Sequence, residues 1–259
     1  MKIVVAGYGA VGQAVEYVLQ KRDDLQVFVD DPAKGHNYIP NPNLSPVDAV
    51  VVCVATPMRE NGSCNTDHVE EVFNKYGSVK YLIKSAVDPV WIDWEAGVRD
   101  GSYTYSPEFL GSSNVNRNTL EEFEFQTYAI YGGDDCRFWD ELLRPVLPSL
   151  CDVKYCSLQQ ASFAKYVENT FLATKVTFFN EMYKIYKDIG FEGFDQMVDA
   201  ITVDPRIGKS HTQVPGPDGK FGYGGHCLPK DIAALRYIAV GSPLLDAVVD
   251  CNEEYRNEN

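Results

Sequence analysis

The amino-acid sequence predicts an α/β domain built on a parallel sheet, followed by an all-helical domain with one long helix. Three observations predict it. Short apolar runs alternate with helical patterns through the first 156 residues, as expected of parallel strands buried on both faces. A glycine-rich turn, G-Y-G-A-V-G, directly follows the first of those runs. From 160 to 187 the pattern is helical, with no internal Gly or Pro. The expected domains are 1–156 and 157–259.

Residues 2–6, K-I-V-V-A, read as a buried strand. Gly7, Gly9 and Gly12 follow, then a helix with Val11, Ala14, Val15, Val18 and Leu19 on one face. A second strand, 25–29, ends at Asp30. Strand, glycines, helix, strand and acidic residue in that order form the fingerprint of a Rossmann dinucleotide-binding unit. Gly7 makes the tight turn, Gly9 lets a pyrophosphate approach the backbone, and Gly12 lets helix and strand pack closely. The helix N-terminus, opening at Ala10 and Val11, faces the phosphates. Asp30 accepts hydrogen bonds from a ribose diol and repels a 2′-phosphate, which favours NAD over NADP; Asp31 is the alternative for that contact.

The alternation continues. Residues 49–54 read as a buried strand that runs into A-T-P at 55–57, placing Thr56 at a carboxyl strand end, where open sheets hold ligands. A helix over 66–76, capped by Thr66, leads to a strand over 80–85 that ends at Ser85. Strands at 103–105, 128–131 and 153–155 and a helix at 135–145 complete the first domain. In the second, Ala164, Val167, Phe171, Phe178 and Met182 mark an apolar stripe on the long helix, suited to a domain spine or a dimer seam. Lys165 and Asn169 are neighbours on one face; both are donors suited to an oxyanion, and equally to a solvated surface. Further helices are expected at 194–202, 231–239 and 243–254, with a loop at 211–220.

The segment F-G-Y-G-G-H-C-L-P-K-D, 221–231, carries the chemistry. Gly222, Gly224 and Gly225 leave a bare backbone suited to close approach of a ligand. Pro229 suits the first position of a helix, with Asp231 in its first turn. Cys227 then lies at a helix N-terminus, where the dipole favours a thiolate, a candidate for covalent catalysis. The bland alternative is a glycine-rich turn with a structural cysteine.

Composition narrows the field. The chain has 259 residues, 45% apolar, and a net charge of −14 without a basic run, which argues against nucleic acid. No apolar run approaches the ~20 residues of a membrane span. The chain starts on a strand-like run rather than a signal peptide, and its seven scattered cysteines suggest reduced thiols, so a cytoplasmic setting is expected. The four histidines show no metal spacing.

These pieces together resemble the nucleotide-sugar dehydrogenase family, its UDP-glucose-oxidising branch most closely. The matching motifs are G-Y-G-A-V-G, A-T-P, I-K-S-A-V, S-P-E-F-L, K-Y-V-E-N-T-F-L-A-T-K, D-P-R-I-G and F-G-Y-G-G-H-C-L-P-K-D, in family order along nearly the whole chain. The resemblance implies a four-electron, NAD-dependent oxidation of a sugar C6 alcohol to a carboxylate, UDP-glucose to UDP-glucuronate first. It implies Cys227 as the nucleophile of a thiohemiacetal and then a thioester, Lys165 and Asn169 as stabilisers of oxyanions, and Asp231 and Glu108 in water and proton handling. It implies Arg206, Phe109, Leu110, Gly224 and Gly225 as substrate contacts, and a homodimer through the long helix 160–187. Three departures stand out. Ala86 replaces a family threonine, the loop from Arg206 to Cys227 is longer, and the second Rossmann-like domain of the family is expected to be absent from this sequence. Two other readings stay open: a two-electron dehydrogenase of a smaller sugar or hydroxy acid, and a non-catalytic NAD-binding or assembly module.

Overall fold

The computed structural model describes residues 1–38, 46–108 and 126–257. Its contacts group into two units, Met1–Pro57 with Asn65–Lys165, and Met58–Cys64 with Tyr166–Asn259.

The first unit is a seven-stranded sheet. In chain order its strands are β1 (Lys2–Ala6), β2 (Gln26–Asp30), β3 (Ala49–Val52), β4 (Lys80–Ile83), β5 (Ser102–Tyr105), β6 (Tyr128–Gly133) and β7 (Asp152–Cys156). Their spatial order is 2-1-3-4-5-6-7. The first five are parallel, with Ala6 level with both Asp30 and Val52, Val52 with Ile83, and Ile83 with Tyr105. β6 runs antiparallel to β5, and β7 is parallel to β6. The sheet is therefore mostly parallel, reversing once.

Period-two alternation explains the two cores. Ile3, Val5, Ala49, Val51 and Leu82 point to one face and meet Val15, Leu19 and Trp139, from helices α1 (Ala10–Leu19) and a later helix over Cys136–Leu143. Val4, Ala6, Val50, Val52, Tyr81 and Ile83 point to the other face and meet Val69 and Phe73 of α2 (Asp67–Tyr76) and Ile92 of α3 (Pro89–Val98). The Cys136–Leu143 helix is α4. α3 has no counterpart in the sequence reading. Its start signal was present: Asp88 caps the helix by accepting from Val90 N (2.7 Å) and Trp91 N (3.2 Å), and Pro89 takes the first position. Its apolar periodicity was blurred, because Val90, Trp94 and Val98 stand exposed on the face opposite Ile92.

Helix α5, Leu158–Asp188, begins in the first unit, where Leu158 and Ala161 join the second core and Ser162 Oγ donates to Val87 O at 2.8 Å. From Tyr166 it belongs to the helical unit with α6 (Phe194–Ile201), α7 (Cys227–Ile238) and α8 (Pro243–Asn257). Three small cores hold that unit: Tyr166 with Ala234, Leu235 and Cys64; Ala173 with Tyr223, Ile232 and Val248; and Phe179 with Phe194, Val198 and Val214. The stripe read from sequence is not the buried face. Val167, Phe171 and Phe178 are 48%, 63% and 54% exposed, while Tyr166, Asn169, Ala173, Thr177 and Asn180 are buried. Among the described residues no helix is long and apolar enough to cross a membrane.

Trp139 is fully buried and its indole N–H has no hydrogen-bond partner. Truncation of a buried Trp to Ala removes about 3–5 kcal/mol. Trp139→Ala is expected to lower the urea midpoint followed by circular dichroism, and Trp139→Phe to lower it less, since Phe fills most of the space and leaves no orphaned donor.

Candidate active site

The glycine-rich turn after β1 has the form of a phosphate cradle. Gly7 has a φ of +92°, and a Cβ there would lie 2.6 Å from Val54 N. A Cβ on Gly12 would lie 2.0 Å from Gly7 O, so helix and strand pack backbone to backbone. Gly9 faces open space and supplies no capping side chain to α1, whose first residues are Ala10 and Val11. The amides opening that helix are suited to an anion. Asp30 ends β2 with its side chain buried; Oδ2 accepts from Lys75 Nζ and Tyr76 Oη, and Oδ1 has no partner. Asp31 Oδ2 accepts from Tyr8 N within the turn, 2.8 Å away. An open cradle and an orphaned buried acceptor fit a dinucleotide.

Thr56 and Ser85 are buried near the carboxyl ends of β3 and β4. The Ser85 hydroxyl donates to Val54 O at 2.7 Å, so its proton ties the two strand ends together. Glu108 is buried beside Lys84, with Nζ 3.4 Å from Oε2 and the two side chains 3% and 7% exposed. Lys84 also donates to Ser106 Oγ at 3.2 Å. Sequence reasoning passed over Lys84, although it sits in the I-K-S-A-V motif. Burial pushes the neighbouring Cys53 thiol up to about 12, against the opposing pull of Lys84, which leaves Cys53 an inert core thiol. Phe109 and Leu110 lie outside the described residues.

In the helical unit Cys227 is the first residue of α7 and is exposed. The helix starts at Cys227, four residues before the expected span 231–239 and two before the proline expected at its first position, so Pro229 is its third residue and Asp231 its fifth. A proline there costs nothing, because the first-turn amides have no intrahelical acceptor. Asp231 is 1% exposed and doubly held: Asn169 Nδ2 donates to Oδ2 at 2.5 Å, and Lys230 Nζ donates to Oδ1. Lys165, half-buried, lies one helical turn before Asn169 on α5.

The loop before Cys227 is pinned from two helices. Asn180 Oδ1 accepts from Gly222 N at 2.9 Å, and Asn252 Oδ1 accepts from Tyr223 N at 2.6 Å. Arg256 Nε donates to Tyr223 O at 2.9 Å, and its Nη1 to Asp218 Oδ2 at 2.7 Å. A Cβ on Gly224 would fall 1.4 Å from Arg256 Nη2, whereas one on Gly225 meets nothing within 4 Å. Gly225 therefore faces free space and Gly224 a guanidinium. No sequence signal marked Asn180, Asn252 or Arg256. Arg206 is 87% exposed and chelates Asp204, with Nε 3.0 Å from Oδ1 and Nη2 2.5 Å from Oδ2. Lys175 Nζ holds its loop by donating to Ile207 O (2.8 Å) and Gly208 O (2.9 Å). Burial, with the Lys175 ammonium, pushes the nearby His211 below its ordinary value.

Residues 159–254 match the central domain of the UDP-glucose/GDP-mannose dehydrogenase family. The chain is 30% identical over 238 residues to a GDP-mannose 6-dehydrogenase of Pseudomonas putida, covering 80% of this chain and 50% of that one. It is 29% identical over 232 residues to a UDP-glucose 6-dehydrogenase of Rickettsia bellii, covering 83% and 51%. The chain thus spans about half the length of these curated relatives. In fold it is similar to a UDP-glucose dehydrogenase of the archaeon Pyrobaculum islandicum, with a TM-score of 0.75 and 24% identity over 98% of this chain and 68% of that one.

Asn252→Ala leaves the buried Tyr223 amide without its acceptor and is expected to cost about 1–3 kcal/mol in urea unfolding, with Asn252→Asp recovering most of it. His211 binds its proton less readily folded than unfolded, so stability is lost as pH falls through the unfolded value of 6.5. The difference in melting temperature between wild type and His211→Asn should therefore change between pH 7.5 and pH 5. Wild type should lose more; Asn accepts the positive φ of 61° at this position and does not titrate.

Proposed function

We propose that this chain, which belongs to the UDP-glucose/GDP-mannose dehydrogenase family, oxidises the C6 alcohol of a nucleotide sugar to a carboxylate with NAD, UDP-glucose being the first substrate. The observation that carries the reading is Cys227: of seven free cysteines it is the exposed one, and it opens a helix at the end of a pinned loop. Gly7, Gly9, the first turn of α1 and Asp30 would hold NAD, which would accept a hydride in each of two oxidations.

The chain's own groups take these roles. Glu108, placed by Lys84, handles the proton of the alcohol. Cys227 Sγ adds to the carbonyl carbon of the resulting aldehyde, because an aldehyde alone has no hydroxyl from which a second hydride can leave. Oxidation of that thiohemiacetal leaves a thioester, which water cleaves to release carboxylate and thiolate. Lys165 stabilises the oxyanions. Asn169 and Lys230 fix the Asp231 carboxylate, whose remaining lone pairs can orient the water. Ala86 offers no hydroxyl for that task. Arg206, Gly225, Phe109 and Leu110 are proposed substrate contacts, with Ser85 and Thr56 beside the cofactor. The exposed apolar stripe of α5 supports a homodimer through that helix, and seven free cysteines agree with a reducing, cytoplasmic setting.

Absorbance of NADH is expected to show two equivalents per UDP-glucose. Cys227→Ser should lower turnover by at least about 100-fold, the scale lost with a group acting at the transition state. One NADH per substrate, unchanged in Cys227→Ala, would replace this reading with a two-electron dehydrogenase. ADP-ribose binding with no turnover of any nucleotide sugar would leave a non-catalytic NAD-binding module.

A further inference from the structure

Asp30 does not end β2 as a bare anion. Its Oδ2 accepts from Lys75 Nζ at 2.8 Å and from the Tyr76 hydroxyl at 2.7 Å, both from the last residues of α2. Its Oδ1 is buried without a partner, on a side chain 6% exposed. The Tyr76 ring stacks on Tyr38, and Tyr38 packs on Phe28 of β2. Burial, then the bond to Asp30, pushes the Tyr76 phenol above its ordinary value, so it remains a donor.

Two consequences follow for an adenosine ribose at this strand end. Oδ1 is an acceptor that lacks a donor, and a ribose hydroxyl supplies one. The second concerns charge. A carboxylate at the end of this strand rejects a 2′-phosphate by repulsion between two anions. Here an ammonium lies 2.8 Å from that carboxylate, on a side chain that is 31% exposed. An ammonium has three donors, so Lys75 can meet a phosphate oxygen while it keeps Asp30.

We propose that Lys75 is the specificity-determining residue of this subsite: paired with Asp30, it admits an adenosine ribose carrying a 2′-phosphate as well as one with a free 2′-hydroxyl. The proposal rests on the dinucleotide reading of the cradle and runs against the strict NAD preference that Asp30 alone implies. It does not depend on turnover or on the sugar.

The test is isothermal titration of the full chain with ADP-ribose and with 2′-phospho-ADP-ribose. Wild type is expected to bind both, with dissociation constants within about ten-fold of each other, and Lys75→Met to widen that ratio by about ten-fold or more through loss of the phosphorylated probe. Lys75→Arg should hold the wild-type ratio. Lys75→Gln, which still donates to Asp30, serves should the Met variant fail to fold by circular dichroism. A ratio unchanged in the neutral variants, or a wild type that already excludes the phosphorylated probe, overturns the role of Lys75 and leaves the cradle standing. Failure of ADP-ribose itself to bind wild type overturns the cradle and the proposal together.

Discussion

Parallel pairing of the first five strands brings their carboxyl ends to one edge of the sheet. Ala6, Asp30, Val52, Ile83 and Tyr105 stand level across it. The ladder then runs one residue further: Gly7 N donates to Asp30 O, Cys53 N to Ala6 O, Lys84 N to Val52 O and Ser106 N to Ile83 O, at 2.7–2.9 Å. Whatever follows each strand in the chain must emerge along this line. The glycine cradle, Asp30, Lys84 and Ser106 share an edge for that reason, though Gly7 and Ser106 are 99 positions apart in sequence. The alternation of apolar side chains fixes the register, since a slip by one residue would turn Ile3 and Val5 to the wrong core.

Each unit also buries a carboxylate, and each provides it with a cation. Lys84 serves Glu108, and Lys230 together with Asn169 serves Asp231. Pairs this deep add little net stability, because desolvating two ions offsets most of their attraction. Removing one partner strands the other at a cost of about 3–5 kcal/mol. What such a pair provides is placement. Asp231 accepts on both oxygens, from Asn169 and from Lys230, and is held in one orientation. Asn169 holds Asp231 through one hydrogen of its side-chain amide, which has two to give.

The parts legible in the sequence are those where a local rule acts alone. The Rossmann strand–glycine–helix–strand unit is written in G-Y-G-A-V-G and the runs around it, because tight turn, cradle and packing all demand glycine within six residues. The seven strands were visible as apolar runs, but the reversal at β6 was not, since strand direction depends on the connection and not on side-chain pattern. α3 was hidden because Val90, Trp94 and Val98 place apolar residues on its exposed face. The stripe Val167, Phe171 and Phe178 was legible as periodicity and not as burial: a helix with apolar residues on two faces does not say which face its own unit covers. Asn180, Asn252 and Arg256 reach the loop before Cys227 from 42, 29 and 33 residues away, and nothing in their immediate neighbours announces it.

That loop shows why a glycine-rich motif cannot be read as a ligand cradle residue by residue. Gly222 has a φ of +72° and gives its amide to Asn180; a Cβ there would strike Asn252 Oδ1 at 2.4 Å. Gly224 is bare because Arg256 lies across it. Gly225, also at positive φ, has open space beside it and is the one of the three left free to face a ligand. Two of the glycines make room for side chains of α8, and the third has open space beside it. The final helix therefore helps fix the loop that leads to Cys227: Asn252 and Arg256 set the path of Tyr223, and four residues later the chain enters α7 at Cys227.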